Sequence, residues 1–292
     1  MFELIVQTIV NALVASSFAA VMAVGLVLIF GVMKIVNFAH GELYMVGAYS
    51  VWYLYATQGW PFLLAVAAAI VLVAAIGMMM ERVLFRRMRG NPLGGLIMSV
   101  GALFILQVLA AKFGGVGLMK HVPPAFPGTV GLFGLPGVSL PWQRLVVIAT
   151  APLVLGGLWL FLHRTRTGWA LRACAQDPEA AALQGISINR IALLAMGLGG
   201  GLAGAAGAVM APLVQVDPYM GHGAIVTAFI VIIVGGIGSV EGAVLAAVIY
   251  MFFHTFVTTY FDGTLASILG LVLMLLVLVI RPQGLLGTRE QV

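Results

Sequence analysis

Three short stretches of this chain hold most of the candidate residues for chemistry. In the first, Gly25 to Tyr49, Lys34 is followed closely by Asn37, His40 and Glu42. Ionisable groups at membrane depth are costly, and they mark either a functional site or a boundary. His40 and Glu42 stand two positions apart and cannot face each other on one helix. We therefore predict no acid–base pair here.

Two structures are compatible with this first stretch. It can be an interfacial turn between two helices, because the distribution of basic residues places Lys34 at the cytoplasmic edge. It can instead be a broken helix whose freed backbone lines a translocation path, as discontinuous helices of transporters do. Gly41 and Gly47 would let another backbone approach. In the second alternative the candidates for the path are Asn37, His40, Gly41 and Glu42.

Glycine dominates the second stretch, Val234 to Ala243. It is not a dinucleotide-binding fingerprint, because Glu241 stands where that motif needs glycine and no βαβ context surrounds it. Glu241 is either a solvated turn residue on the cytoplasmic side or a polar group that faces a cavity. The candidates for the path in this stretch are Gly235, Gly236, Gly238 and Glu241. An earlier glycine run, Gly197 to Gly207, predicts close helix packing, with a substrate-lining role as the alternative.

The third stretch, Arg164 to Arg190, is a polar segment between two apolar runs. Asp177 and Glu179 favour a helix start through the helix dipole, and Pro178 suits the first turn. The alanines that follow are strongly helix-forming and small enough to enter a partner's groove. Gly185 can end the helix. We therefore predict a contact surface made of Asp177, Pro178, Glu179, Ala180, Ala181, Ala182 and Gly185.

No catalytic constellation appears in the sequence. It has no Gly-x-Ser-x-Gly, no His-Glu-x-x-His and no two histidines four positions apart. None of its lysines follows a glycine, so it has no Walker A loop for ATP. Its one cysteine, Cys174, excludes an intrachain disulfide and a cysteine-based metal site. We expect no enzyme activity, no metal and no cofactor bound by this chain.

The composition is that of an integral membrane protein. Hydrophobic residues make up 62% of the 292 residues and charged residues 8%, against about 25% in soluble domains. The net charge of +5 does not indicate nucleic acid as a partner, because the basic residues cluster beside apolar segments. We predict an all-α, polytopic membrane protein in which residues 1–292 form a single domain.

Apolar runs of about 20 residues predict the membrane-spanning helices. Two of the runs are short, so the chain has eight or nine spanning segments, one of them a candidate re-entrant segment. The short runs are 41–57 and 224–238. The others are 4–33, 62–80, 93–111, 145–162, 190–213, 241–260 and 264–280.

Basic residues predict the orientation of these segments. Eleven of the fourteen fall on one side, which makes that side cytoplasmic and puts the C-terminus and the segment 163–190 there. The N-terminus is external if all nine segments span. The Gly- and Pro-rich loop 113–143 is external, as a spacer or a docking surface. The thiol of Cys174 is expected to react with an impermeant maleimide only from the inner face. The eleven are Lys34, Arg82, Arg86, Arg87, Arg89, Arg164, Arg166, Arg172, Arg190, Arg281 and Arg289.

A family resemblance connects these stretches. Glu179 to Gly185 matches E-A-A-x-x-x-G, a signature of the cytoplasmic helix that importer permeases present to an ATPase. The Ile-x-Leu-Pro that usually follows is missing, since Ala195 to Gly197 stand there. Almost end to end, the chain resembles the branched-chain amino acid ABC transporter permease family of the LivH type. The most specific stretches are Asn37 to Tyr49, Arg172 to Ile186, Val234 to Ala243 and Arg281 to Gly287.

The resemblance implies an inner-membrane importer with several subunits: two related permeases, two ATPase subunits that use ATP and Mg²⁺, and an external substrate-binding protein. Asp177 to Gly185 would then be the ATPase-coupling helix, and this chain would provide half of a path for branched-chain or related amino acids. Urea or short amides are alternative substrates for the same mechanism. A stand-alone secondary transporter, with ion coupling through His40, Glu42, Glu241 and His254, is an alternative mechanism.

Overall fold

The structure, a computed structural model, describes residues 1–115, 119–131 and 139–287. Arg289, which the charge count places in the cytoplasm, lies outside the described residues. The described part is almost entirely helical, which confirms the predicted fold class. The exception is one short antiparallel pair in the predicted external loop, formed by β1 (Thr129–Gly131) and β2 (Ser139–Pro141).

Eleven α-helices follow one another along the described chain. A π-helical turn, Trp52–Thr57, continues the second helix, and a 3-10 turn, Phe85–Met88, follows the third. The helices are α1 (Phe2–Met33), α2 (His40–Val51), α3 (Phe62–Val83), α4 (Pro92–Gly114), α5 (Trp142–Arg164), α6 (Arg166–Gln176), α7 (Pro178–Leu183), α8 (Ile188–Met210), α9 (Met220–Gly235), α10 (Val240–Tyr260) and α11 (Gly263–Ile280).

All nine predicted apolar segments coincide with helices. Among the described residues, seven helices are long and apolar enough to cross a membrane: α1, α3, α4, α5, α8, α10 and α11. The other two segments are α2 with its π-helical turn, and α9, which has 16 residues. These two are the runs that the sequence analysis identifies as short.

Helix α8 forms the centre of the bundle, and its glycines permit close packing. A Cβ atom on Gly207 would lie 1.9 Å from the carbonyl oxygen of Tyr44 in α2. A Cβ atom on Gly47 would lie 2.3 Å from the carbonyl oxygen of Gly204. The most apolar stretch of α8 is 83% buried, whereas that of α11 is 11% buried. The glycine run thus packs helix against helix as predicted, and α11 leaves an apolar surface for lipid.

The basic residues separate to opposite ends of the bundle. At one end, Lys34 and Arg172 line the same cavity, and Arg89 contacts Asn189 at the start of α8. At the other end, Arg144 contacts Asn11 near the start of α1. We call the first the basic end and the second the outer end. This separation agrees with the grouping inferred from the charge pattern.

Candidate functional site

The polypeptide between α1 and α2 returns into the bundle. Helix α1 ends at Met33 at the basic end, yet Nε2 of His40 lies 3.0 Å from the carbonyl oxygen of Met22. Met22 precedes Met33 by eleven residues, which is about 16 Å along a helix at 1.5 Å per residue. The non-helical residues between α1 and α2 therefore run antiparallel to α1 for about 16 Å before α2 begins.

Protein covers this non-helical segment. Asn37 is fully buried, and its side-chain oxygen accepts a hydrogen bond from the backbone N–H of Ala39 at 3.1 Å. His40 and Glu42 are also fully buried, whereas Lys34 is exposed. Burial in protein is what allows non-helical backbone at membrane depth. The interfacial-turn alternative therefore fits Lys34 alone, and the broken-helix alternative describes the rest.

The first turns of α2 and α9 meet inside the bundle. A Cβ atom on Gly41 would lie 2.4 Å from the carbonyl oxygen of Gly221, and one on Gly221 would lie 2.7 Å from the carbonyl oxygen of Gly41. Only glycine permits this backbone approach, because any side chain would overlap the opposite carbonyl. Two helix starts thus converge where the preceding chain is non-helical on both sides, at 34–39 and at 211–219.

A polar cluster lies across this junction. The side-chain nitrogen Nε2 of Gln107, in α4, donates a hydrogen bond to Oε1 of Glu42 at 2.9 Å and lies 3.1 Å from Nε2 of His222. Glu42 is fully buried and Gln107 nearly so, whereas His222 is exposed. Among the described residues, Oε2 of Glu42 has no hydrogen-bond partner. The cluster therefore links a buried carboxyl group to the protein surface and has capacity left to bind a polar solute.

The sequence analysis missed two members of this cluster, Gln107 and His222. A signal for Gln107 was available, because it is the one amide within the apolar run 93–111. Polar residues inside membrane helices usually face the bundle interior. His222 stands just before the run 224–238, so no apolar pattern singles it out.

The glycine-rich stretch lies at the opposite end of α9. A helix of 16 residues is about 24 Å long, so the structure separates Gly235 from Gly41 and Glu42 rather than joining them in one site. Gly235 packs against Gly242, since a Cβ atom on Gly235 would lie 2.4 Å from the carbonyl oxygen of Gly242. Gly236 packs against the segment 281–287, whose Leu286 N–H donates to the carbonyl of Gly235 at 3.0 Å.

Gly238 and Glu241 have a different environment from these two glycines. Both line an open cavity of about 860 Å³ at the basic end. Glu241 is exposed and occupies the first turn of α10. It is therefore both solvated and cavity-facing, which combines the two alternatives that its sequence context left open.

Helix α7 forms as its residues predict. The Asp177 carboxylate accepts hydrogen bonds from the backbone N–H groups of Glu179 at 2.9 Å and Ala180 at 3.0 Å, and Pro178 occupies the first turn. Gly185, with φ of +82°, ends the turn that follows. Ala181 is buried against the protein, whereas Glu179, Ala180 and Ala182 are exposed.

One exposed apolar side chain of α7 is not among the residues predicted from the sequence. Leu183 is 86% exposed. It follows Ala182 on the outward side of a helix that packs through Ala181.

Helix α6 corrects one expectation about accessibility. It is amphipathic and packs Leu171 and Cys174 against the bundle. Cys174 is fully buried, and burial raises the pKa of its thiol. The prediction that Cys174 is a usable native probe for an impermeant maleimide is therefore wrong, since such reagents need an exposed thiolate.

A continuous path of packed backbone joins α7 to the polar cluster. After α7, the Ile186 N–H donates to the Ala181 carbonyl at 3.2 Å, and α8 begins two residues later. Helix α8 then contacts α2 at Gly207 and Gly204. Glu42 lies in the first turn of α2. One helix, α8, thus lies between α7 and α2.

Comparisons with known proteins agree along nearly the whole chain. Residues 8–279 match the family described as branched-chain amino acid transport system / permease component. The chain is 34% identical to the high-affinity branched-chain amino acid transport system permease protein BraD of Pseudomonas aeruginosa, over 97% of this chain and 96% of that protein. It is 31% identical to the corresponding LivH of Escherichia coli, over 99% and 97%. No solved structure matches at a significant level.

The match extends beyond these two relatives. The chain is 27% identical to a probable branched-chain amino acid transport permease protein LivH of Methanocaldococcus jannaschii, over 95% of this chain and 91% of that protein. Full-length agreement with the family, together with the apolar helices, makes this a multi-pass inner-membrane transport protein. The chain belongs to the family of permease components of branched-chain amino acid transport systems.

Proposed function

We propose that this chain provides half of the membrane path of an ATP-driven importer for branched-chain or related amino acids. The names of its relatives support the substrate class. The complete assembly would hold a second related permease, two ATPase subunits that use ATP and Mg²⁺, and an external binding protein. The observation that supports coupling to the ATPase is the exposed Leu183 on α7, a short helix that packs against the bundle through Ala181.

In this proposal the basic end is cytoplasmic, and α7 is the part that meets the ATPase. An ATPase groove would receive Leu183 and the small exposed faces of Ala180 and Ala182. Burying one leucine side chain contributes about 1.5–3 kcal/mol. Motion of the ATPase would pass from α7 into α8 and from there into α2, because α8 and α2 are closely packed at their glycine contacts.

The polar cluster is the proposed path-lining element. Solute would pass along the surface that carries His222, beside the converging first turns of α2 and α9. Glu42 and Gln107 lie behind this surface and can exchange hydrogen bonds with polar groups of the solute. Asn37, His40 and Gly41 would position these groups. Gly238 and Glu241, which lie at the basic end, would belong to the cytoplasmic exit at most.

Reconstitution of the chain with its partner subunits tests the coupling role. The variant Leu183→Asp should lower ATP-driven leucine uptake at least tenfold and weaken ATPase co-purification, because a carboxylate replaces the apolar contact. The variant Ser187→Asp is the control, since it adds the same charge just outside α7, at the N-cap of α8, where Asp is well tolerated. Full uptake by Leu183→Asp would show that α7 does not couple to the ATPase through this residue.

An ion-coupled secondary transporter is the second candidate, because a buried carboxyl group linked to a surface histidine is also suited to ion coupling. Leucine uptake by this chain alone in proteoliposomes, driven by an ion gradient without ATP, would establish it. For the importer, the ligand of the partner binding protein decides between amino acids and the alternative substrates, urea and short amides.

A further inference from the structure

The cavity of about 860 Å³ at the basic end is separate from the polar cluster around Glu42. Its walls come from the last turns of α1, from α5 and α6, and from the corner between α9 and α10. Its size lies within the range of about 300–1,000 Å³ that is typical of small-molecule sites. The polar cluster around Glu42 lies about 16 Å deeper in the bundle, by the length of α1 between Met22 and Met33.

Three charged side chains line this cavity, two positive and one negative. Lys34 comes from the end of α1, Arg172 from α6 and Glu241 from α10. Within the described parts of the chain, none of the three makes an ion pair. The cavity thus presents two cationic groups and one carboxylate, all available to a ligand.

The backbone of Lys34 shows that its position does not favour lysine. Among the described residues it is the only non-glycine residue with a positive φ, at 53°. Glycine is the preferred residue at such a helix end, because a Cβ atom is strained in the left-handed region. Strained backbone of this kind is found mainly at functional sites. Lys34 therefore lines the cavity at a conformational cost.

The remaining lining is mixed. Val27, Leu28 and Phe30 of α1 line the cavity together with Leu162 and Leu171, and His163, Gln176 and Ser239 add polar groups. The site therefore combines charged and polar groups with apolar surface. A purely anionic ligand would be repelled by Glu241, and a purely cationic one by Lys34 and Arg172, so the charges favour a ligand that carries both signs.

We propose that this cavity binds a zwitterion with an apolar part. The anionic group of the ligand lies between Lys34 and Arg172, and its ammonium group donates to Glu241. Two ligands have this chemistry: a free apolar α-amino acid from the cytoplasm, and the head group of an ethanolamine phospholipid from the inner leaflet. Either ligand would bridge α6 and the corner between α9 and α10. Binding here would therefore hinder motion of α6 and of α7, the proposed ATPase-coupling helix.

Binding to the purified full-length chain tests this proposal independently of uptake. In the amino acid arm, radiolabelled leucine is titrated against the chain in phosphatidylcholine nanodiscs. We expect saturable binding that weakens at least tenfold in Lys34→Gly and in Arg172→Gln. Lys34→Gly should unfold at the same or a higher temperature, because glycine relieves the positive φ, so lost binding there is not lost folding.

The control is Arg166→Gln, which removes the same charge from an exposed position of α6 outside the cavity. It should bind like the unmodified chain. The variant Glu241→Gln tests ligand polarity. It should bind leucine and 4-methylpentanoate, the analogue without the ammonium group, with similar affinity, whereas the unmodified chain should prefer leucine.

The lipid arm uses native mass spectrometry of the chain in mixed phosphatidylethanolamine and phosphatidylglycerol. Selective retention of phosphatidylethanolamine, abolished by Lys34→Gly and Arg172→Gln but not by Arg166→Gln, would assign the cavity to the lipid. Leucine binding with the same pattern would assign it to the amino acid. If neither ligand binds, or if all variants bind equally, the proposal is overturned, and the proposed import function is unaffected.

Discussion

Nε2 of His40 lies 3.0 Å from the carbonyl oxygen of Met22, although α1 continues for eleven residues beyond Met22 before it ends. This contact fixes the depth to which the non-helical chain returns. Replacing His40 by alanine removes a buried hydrogen bond and leaves a cavity, so we expect a loss of about 2–4 kcal/mol in the free energy of unfolding in detergent. The control is His121→Ala, at an exposed position. Equal stability of the two variants would show that the contact does not hold this segment.

The glycines of α8 and α4 give a matched pair. A Cβ atom on Gly207 would lie 1.9 Å from the Tyr44 carbonyl oxygen, whereas one on Gly101 would meet nothing within 4 Å. We expect Gly207→Ala to destabilise the protein by about 1–3 kcal/mol, because α2 must move away from α8. Gly101→Ala should be neutral or stabilising by up to about 1 kcal/mol, since alanine is the better helix former. Thermal unfolding in detergent measures both. A neutral Gly207→Ala would mean that the α2–α8 contact adjusts freely.

A buried carboxylate holds the basic end of α3. Glu81 is fully buried and pairs with Arg86 at 2.7 Å and with Arg89. The hydrogen bond to Glu81 raises the pKa of the Arg86 guanidinium. Replacing both arginines by glutamine leaves the buried carboxylate without a cation, and we expect a measurable loss in the free energy of unfolding. Chemical unfolding in mixed micelles measures it.

The control for this pair removes the same number of charges at neighbouring positions. Arg82 and Arg87 are exposed and make no ion pair with Glu81, so Arg82→Gln with Arg87→Gln should change stability by less than about 1 kcal/mol. Adding Glu81→Gln to the Arg86 and Arg89 variant should restore most of the loss, because no buried charge remains. If it restores nothing, the carboxylate is not the source of the effect.

Local sequence signals were sufficient for the helices and for α7. Apolar runs predicted the positions of the seven helices that are long and apolar enough to cross a membrane. The capping residue Asp177, the proline after it and Gly185 predicted where α7 begins and ends. These features depend on residues within a few positions of one another. The exposure of Leu183 was not predicted, because exposure depends on which face of α7 packs through Ala181.

The polar cluster could not be assembled from the sequence. Gln107 reaches Glu42 across 65 positions, and His222 lies a further 115 positions from Gln107. No periodicity connects such residues; only the packing of α2, α4 and α9 does. The same holds for the glycine-rich corner at Gly235, whose distance from Glu42 follows from the direction of α9 and not from its composition.

The hydrogen bond between Gln107 and Glu42 allows stability to be separated from transport. Gln107→Leu leaves the buried Glu42 oxygen without its donor, so we expect a loss of about 1–3 kcal/mol in stability and a fall in ATP-driven leucine uptake. Adding Glu42→Leu removes both polar partners, which should recover stability. Uptake should stay low in the double variant if the cluster lines the path. Uptake that recovers together with stability would reduce the cluster to a structural role.

The orientation of the chain can be tested with two exposed glutamines in a background in which Cys174 is replaced by alanine. Gln184 follows α7 at the basic end, and Gln58 follows the π-helical turn at the outer end; both are exposed. With the basic end in the cytoplasm, an impermeant maleimide added to intact cells should label Gln58→Cys at once and Gln184→Cys only after the inner face is opened. The unmodified chain should label poorly on either side, because Cys174 is buried and its thiol has a raised pKa. Labelling of Gln184→Cys from outside would invert the orientation and remove α7 from reach of any cytoplasmic ATPase.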